Sequence, residues 1–271
     1  MRKTTQSLIY VLAATLLTLA CESTPGTRDA EPKMTKAPGA SLVPAGVGHL
    51  KNASHDPDME TPKDMPEMTA PVSAAATAKA ALDATTAALC KKGSVLAVQK
   101  EGTRFGYVSY KNEKLPVAGL FEEAGMVFTL GGKSAVEGWI NVLSVNSGDP
   151  VRDRKLLKLF FEAEKPENAV MRLSGTLNPP LTTADLDKEM LDFRIQGMLE
   201  LHGKPRPIDL PFHAMKKDGK WSAALNGEHL LELADFGLLE PLKALMKSCN
   251  HAAMGDAVKL DLTLALADPC A

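Results

Sequence analysis

The chain has 271 residues, 45% of them hydrophobic, and a formal net charge of −2. That length allows one or two domains with cores of their own, and the near-neutral charge removes any global electrostatic case for a nucleic-acid partner. Aromatic residues are sparse, at 5%.

Arg2 and Lys3 precede an apolar run from Leu8 to Ala20. The run is too short and too close to the start for an ordinary membrane span, so residues 1–20 read as a signal peptide. It ends Thr18-Leu19-Ala20-Cys21. A small residue before a cysteine here resembles the lipobox of bacterial lipoproteins, which implies lipid attachment at Cys21. Thr18 stands where an aliphatic residue is usual, and plain secretion with Cys21 unused is the alternative. By the same resemblance, Glu22 points to the outer membrane of a Gram-negative cell envelope, on the periplasmic side. An oxidising periplasm permits a disulfide among Cys90, Cys249 and Cys270 and leaves one cysteine over.

Residues 21–71 are rich in Pro, Thr, Lys, Asp, Glu and Met. Such a segment buries too little apolar area to offset its ordering entropy and reads as a disordered tether. A flexible coil of about 50 residues holds its ends roughly 35–45 Å apart. The alanine-rich stretch 72–92 predicts a short helix ending near Cys90, before Gly93. Strand signals follow at 94–99, 104–110, 117–121, 126–130, 134–146, 169–177, 220–229 and 258–267.

The clearest signal is the hairpin 191–214. Leu191, Phe193, Ile195, Gly197, Leu199 and Leu201 alternate with polar residues, and Ile208, Leu210 and Phe212 resume the pattern. Gly203, Pro205 and Pro207 are expected to break it, since proline lacks a donor for the ladder. In the last strand Leu260, Leu262, Leu264 and Leu266 share one face. Many short strands with apolar fronts and polar backs indicate an antiparallel sandwich or a closed barrel. Two helices interrupt them. Asp149-Pro150 is an N-cap followed by proline at the first helical position, predicting a helix over about 150–160. The other covers 238–249, with Leu238, Leu242, Leu245 and Met246 on the face that packs on the strands or closes their end.

No enzyme constellation appears. His49 and His55 lie in the tether, and His202 and His213 carry the parity opposite to the apolar faces. No HExxH, CxxC, GxSxG or phosphate loop is present. Asp185, Asp187 and Glu189 lack the glycine and spacing of a calcium site. Arg152 and Asp153 sit in a first helical turn, where a structural role is expected. No catalytic activity, cofactor or metal is expected.

Landmarks recur in a particular order. Gly119-x-Phe121 precedes Gly125. Ser144-Val145-Asn146-Ser147 leads to Arg152-Asp153 and Leu156, and Phe160-Phe161 to Lys165-Pro166. Then come Gly197-x-Leu199-x-Leu201-His202-Gly203, Ile208-x-Leu210-Pro211, Asp235-Phe236-Gly237-Leu238 and Gly255-Asp256-x-Val258. Over about 94–267 this set resembles the YceI-like family of bacterial periplasmic, lipocalin-like polyisoprenoid-binding proteins.

The resemblance implies an all-β fold: an antiparallel eight-stranded barrel over 93–271, with two short helices, around an elongated apolar cavity. The cavity wall is then expected to include Phe105, Phe121, Ile140, Val142, Phe193, Ile195, Leu199, Ile208, Leu210, Phe212, Leu225, Leu262 and Leu264. Gly197 would leave room inside, or mark a bend. The loops 111–116, 147–153 and 178–190 would control entry. The implied partners are an apolar or amphiphilic lipid of polyisoprenoid or fatty-acid type, the membrane through the anchor and, as family members often dimerise, a homodimer partner. The implied function is carriage or sequestration. A structural or stress-response envelope protein with a filled barrel is the alternative. In such a barrel the first and last strands pair antiparallel, which places Cys90 beside Cys270. Cys249 would lie about 30 Å from Cys270 if the last strand is extended at about 3.3 Å per residue. Cys90–Cys249 remains the rival pairing.

Overall fold

In the computed structural model the described residues are 72–92, 95–112 and 114–270. The expected signal peptide, the expected lipid-attachment residue Cys21 and the expected tether lie outside them.

The strands form one antiparallel sheet that closes on itself as an eight-staved barrel. β1 (Val95–Lys111) is the first stave. β2 (Leu115–Phe121) and β3 (Ala124–Thr129) make a second, bent at Glu122–Glu123. β4 (Ala135–Asn141) and β5 (Val145–Asn146) make the third. β6 (Val170–Asn178), β7 (Met190–Leu201) and β8 (Lys204–Lys217) follow singly. β9 (Lys220–Leu225) and β10 (Leu230–Glu232) share the seventh, and β11 (Ala257–Ala267) is the last. β11 closes on β1 from Ala97↔Ala267 to Val108↔Lys259.

Local chemistry moves several expected boundaries. The stretches 94–99 and 104–110 are one strand, β1, because a bulge between Gln99 and Arg104 shifts its register against β11. Thr103 Oγ1 accepts from Ala265 N across it, at 2.9 Å. The strand expected over 134–146 stops at Asn141, whose side chain accepts from Leu143 N (3.0 Å) and turns Val142–Ser144 into a tight helical turn. The one expected over 220–229 is broken by Gly227 at φ 87° into β9 and β10.

The barrel has two unlike ends. At the first, Phe128, Phe193, Phe212 and Trp221 fill the interior between the staves. The chain enters and leaves the barrel there, and Cys90 is bonded to Cys270 with 5.4 Å between Cα atoms. At the second end, α2 (Pro150–Lys155), a wider π-type turn (Leu156–Phe160) and α3 (Leu239–Ser248) lie over the barrel. Asp149 caps α2 by accepting from Val151 N and Arg152 N. Leu238, Leu242, Leu245 and buried Cys249 pack against Phe160, Phe161 and Met171. Lys155, 1% exposed, donates to the Ser248 carbonyl at 3.0 Å and ties α2 to the end of α3. The alanine-rich helix α1 (Val72–Cys90) packs outside the wall, Ala75 and Leu82 lying against Trp139, Ala169 and Val170.

Candidate ligand cavity

Between the two packed ends lies a cavity of about 150 Å³. Its wall follows from strand parity, because residues two apart on a strand face the same side. Phe105, Phe121, Ile140, Ile195, Leu199, Ile208, Leu210, Phe212, Leu262 and Leu264 all lie on it.

Three residues expected there do not. Val142 has left the strand for the turn after β4 and is fully buried in the helix-end core. Phe193 stacks on Phe212, with centroids 5.5 Å apart and planes at 13°, and meets Phe128 edge-on; this cluster plugs the disulfide end. Leu225 ends β9 half-buried and packs on the barrel core. Alternation gives a side chain's direction and not its depth along the barrel axis.

Other wall residues were not anticipated. Tyr107, Met126, Met171, Leu173 and Leu201 come from strands, and Phe160, Phe161, Leu238, Leu242 and Leu245 from the helix end. Tyr107 shares parity with Phe105, so alternation could have found it. The apolar face of 238–249 carries the signal for Leu242 and Leu245.

The β7–β8 hairpin turns on two residues. His202 at φ 54° and Gly203 at φ 67° meet the type I′ requirement for positive φ at both positions. Pro205 and Pro207 therefore do not end a strand; they lie inside β8, opposite Glu200 and Met198. They are tolerated because β9 pairs only with Phe212–Lys217, so the first half of β8 has a ladder on one side alone. His202 sits in the turn rather than on a strand face, its Nε2 3.0 Å from Glu162 Oε2. His213 lies against Asp192 at 2.7 Å. Neither lines the cavity. Gly197 does not open space inside. It faces Gly175, and a Cβ on it would collide with the Ser174 carbonyl oxygen, so it serves the close approach of β6 and β7.

The electrostatics of the wall centre on Tyr107. Its ring lies over Gly119, where a Cβ would meet Tyr107 Cε1 at 2.8 Å. Its hydroxyl is buried with no hydrogen-bond partner. Burial pushes the phenol pKa up, the Asp153 charge adds to this, and Arg152 opposes it. Burial also raises the Asp153 carboxyl, against the Ser147 hydroxyl and amide that donate to it at 2.6 and 2.9 Å. Asp153 thus fastens the loop before α2. Among the described residues no three His, Cys, Asp or Glu side chains gather as a metal site. The wall can hold an apolar chain and offer a hydroxyl donor to a polar group on it.

The loops expected to form one rim belong to opposite ends. Of the described residues, 111–112, 114–116 and 147–153 lie at the helix end. The loop 178–190 lies at the disulfide end, where the Leu181 carbonyl accepts from Gly131 N and Ser134 Oγ.

A model of the YceI-like domain matches residues 96–266. No curated protein matches the chain. Among solved structures, a polyisoprenoid-binding domain from Saccharophagus degradans implicated in plant cell wall breakdown aligns with a TM-score of 0.55 and 18% identity, over 64% of this chain and 98% of that one. Burkholderia cenocepacia BcnA aligns at 0.49 and 14%, over 63% and 99%. A Campylobacter jejuni YceI protein aligns at 0.39 and 20%, over 56% and 84%.

Proposed function

The chain belongs to the YceI-like family, and on that premise we propose that it is a lipid-anchored envelope protein. Its barrel takes up the apolar tail of a polyisoprenoid or fatty-acid-like amphiphile, for carriage or sequestration rather than catalysis. One observation carries this reading: a cavity walled by apolar side chains from both the strands and the helix end. Burying a tail there gains about 0.8 kcal/mol per CH₂. The anchor at Cys21 and the tether over 21–71 would hold the barrel within reach of a membrane.

At about 150 Å³ the cavity matches the size at which an apolar void accepts a benzene-sized group. A longer tail must therefore enlarge it. Met126 and Met171 lie on the wall, and unbranched thioether side chains re-pack more easily than branched ones. Native mass spectrometry of the purified full chain tests the reading. A co-purified lipid, or uptake of added palmitate, is the expected result. A protein that carries none and takes up neither palmitate nor the uncharged dye N-phenyl-1-naphthylamine overturns it. The modest volume favours a second reading, a structural or stress-response envelope protein with a filled barrel, and the same negative result would support that. Labelling of the wild type with palmitate in cells, abolished by Cys21→Ser, is the expected result for the anchor.

A further inference from the structure

We propose that the ligand enters through the side of the barrel, at a seam between β8 and β10, where Ile208 and Leu210 face Leu231 and Leu260 as a gate. The inference rests on the cavity being a binding site.

The seam lacks a backbone ladder. On one side β8 is paired with β7 from Leu201↔Lys204 to Met190↔Met215. On the other it is paired with β9 only from Phe212 onward, and β10 pairs only with β11. Across the open half, Asn226 N donates to the Pro211 carbonyl and Arg206 Nε to the Asp235 carbonyl, each at 2.8 Å. The sequence keeps the ladder from forming. On an antiparallel strand a residue's N–H and C=O point to the same neighbour, alternating along the chain. The Pro211 carbonyl faces the seam, so positions 205, 207 and 209 face it too. Proline fills all of these but 209 and removes their donors.

The wall here is one side chain thick. An outer recess of about 190 Å³ opens at the seam. Ile208, Leu210, Leu231 and Leu260 line both this recess and the inner cavity. Both barrel ends are filled by packed cores. Opening a laddered seam breaks a row of backbone hydrogen bonds; opening this one needs side-chain rotations, the loss of the Arg206 tie and at most the single Asn226–Pro211 backbone bond. Arg206, His229 and Asp209 at the outer lip suit a polar head that stays in water while its tail enters.

The test uses the full chain carrying Cys21→Ser, Arg206→Cys and Asp235→Cys, cross-linked by a short bismaleimide, Cys249 being buried. Stopped-flow fluorescence follows uptake and release of N-phenyl-1-naphthylamine. Cross-linking is expected to slow uptake at least tenfold, and to slow release equally from protein loaded beforehand. The same cross-link across a laddered seam, Thr176→Cys with Gln196→Cys, should leave both rates within twofold. Arg206→Ala, which cuts one tie, should speed both. Normal uptake through the cross-linked seam overturns the gate and leaves the binding reading standing. Absence of dye binding by the uncross-linked protein overturns both.

Discussion

Single residues show where the barrel tolerates an unfavourable group. The Tyr107 hydroxyl is buried without a partner, and such a group costs about 1–3 kcal/mol relative to one left in water. Tyr107→Phe removes the cost, so the empty barrel should become more stable by about 1 kcal/mol or stay unchanged. Urea unfolding checks this; a loss of comparable size would mean that the hydroxyl is satisfied. Asp153 gives a pH signature. Burial raises its folded-state pKa above the unfolded value. Its contribution is therefore fully present below the ordinary carboxylate value and is lost as pH rises through the raised one. Wild-type stability minus that of Asp153→Asn should fall from about pH 3 to pH 7. A flat or rising difference would contradict the assigned direction.

Elements were legible in proportion to how local their causes are. β7 and β11 read as strands because strict alternation is a local pattern, and α2 because Asp149-Pro150 is a local cap. Asp149→Ala should cost about 1 kcal/mol, seen as a lower urea midpoint at unchanged slope. β1 hid its continuity, since the bulge puts its two halves out of phase. At Asn141 a side chain competing for the backbone ended β4 early and carried Val142 off the wall. Gly197 is a sharper case. Its alternation was visible, but the reason for it, β6 backbone pressed against its Cα, depends on a residue pair twenty-two positions apart in sequence. Gly197→Ala should destabilise by more than about 2 kcal/mol, whereas Gly132→Ala, with open space around it, should stay within about 0.5 kcal/mol. Comparing their denaturation midpoints is the check.

For the whole molecule, barrel closure and the disulfide are one fact. Because β11 runs antiparallel to β1, the residues flanking them meet, and Cys90–Cys270 spans a separation of 180 residues. Joining so distant a pair restricts the unfolded chain, and its removal should cost about 2–5 kcal/mol. Calorimetry of Cys90→Ser/Cys270→Ser against wild type measures it. An unchanged melting temperature would show that the barrel closes as firmly without the bond.

From the sequence alone came the strand faces, the Asp149 helix cap, the all-β class and, through ordered landmarks, the family. Each depends on neighbours a few residues apart, or on a pattern that survives in one dimension. What tertiary structure decided is where empty space lies. Phe193 and Phe212 have the same parity and stack in the same plug, yet only Phe212 reaches the cavity, because depth along the axis is set by every stave together. The helix-end cap and the unladdered β8–β10 seam belong to the same class. A cavity is a volume left between side chains distant in sequence, and packing alone determines its walls and its way in.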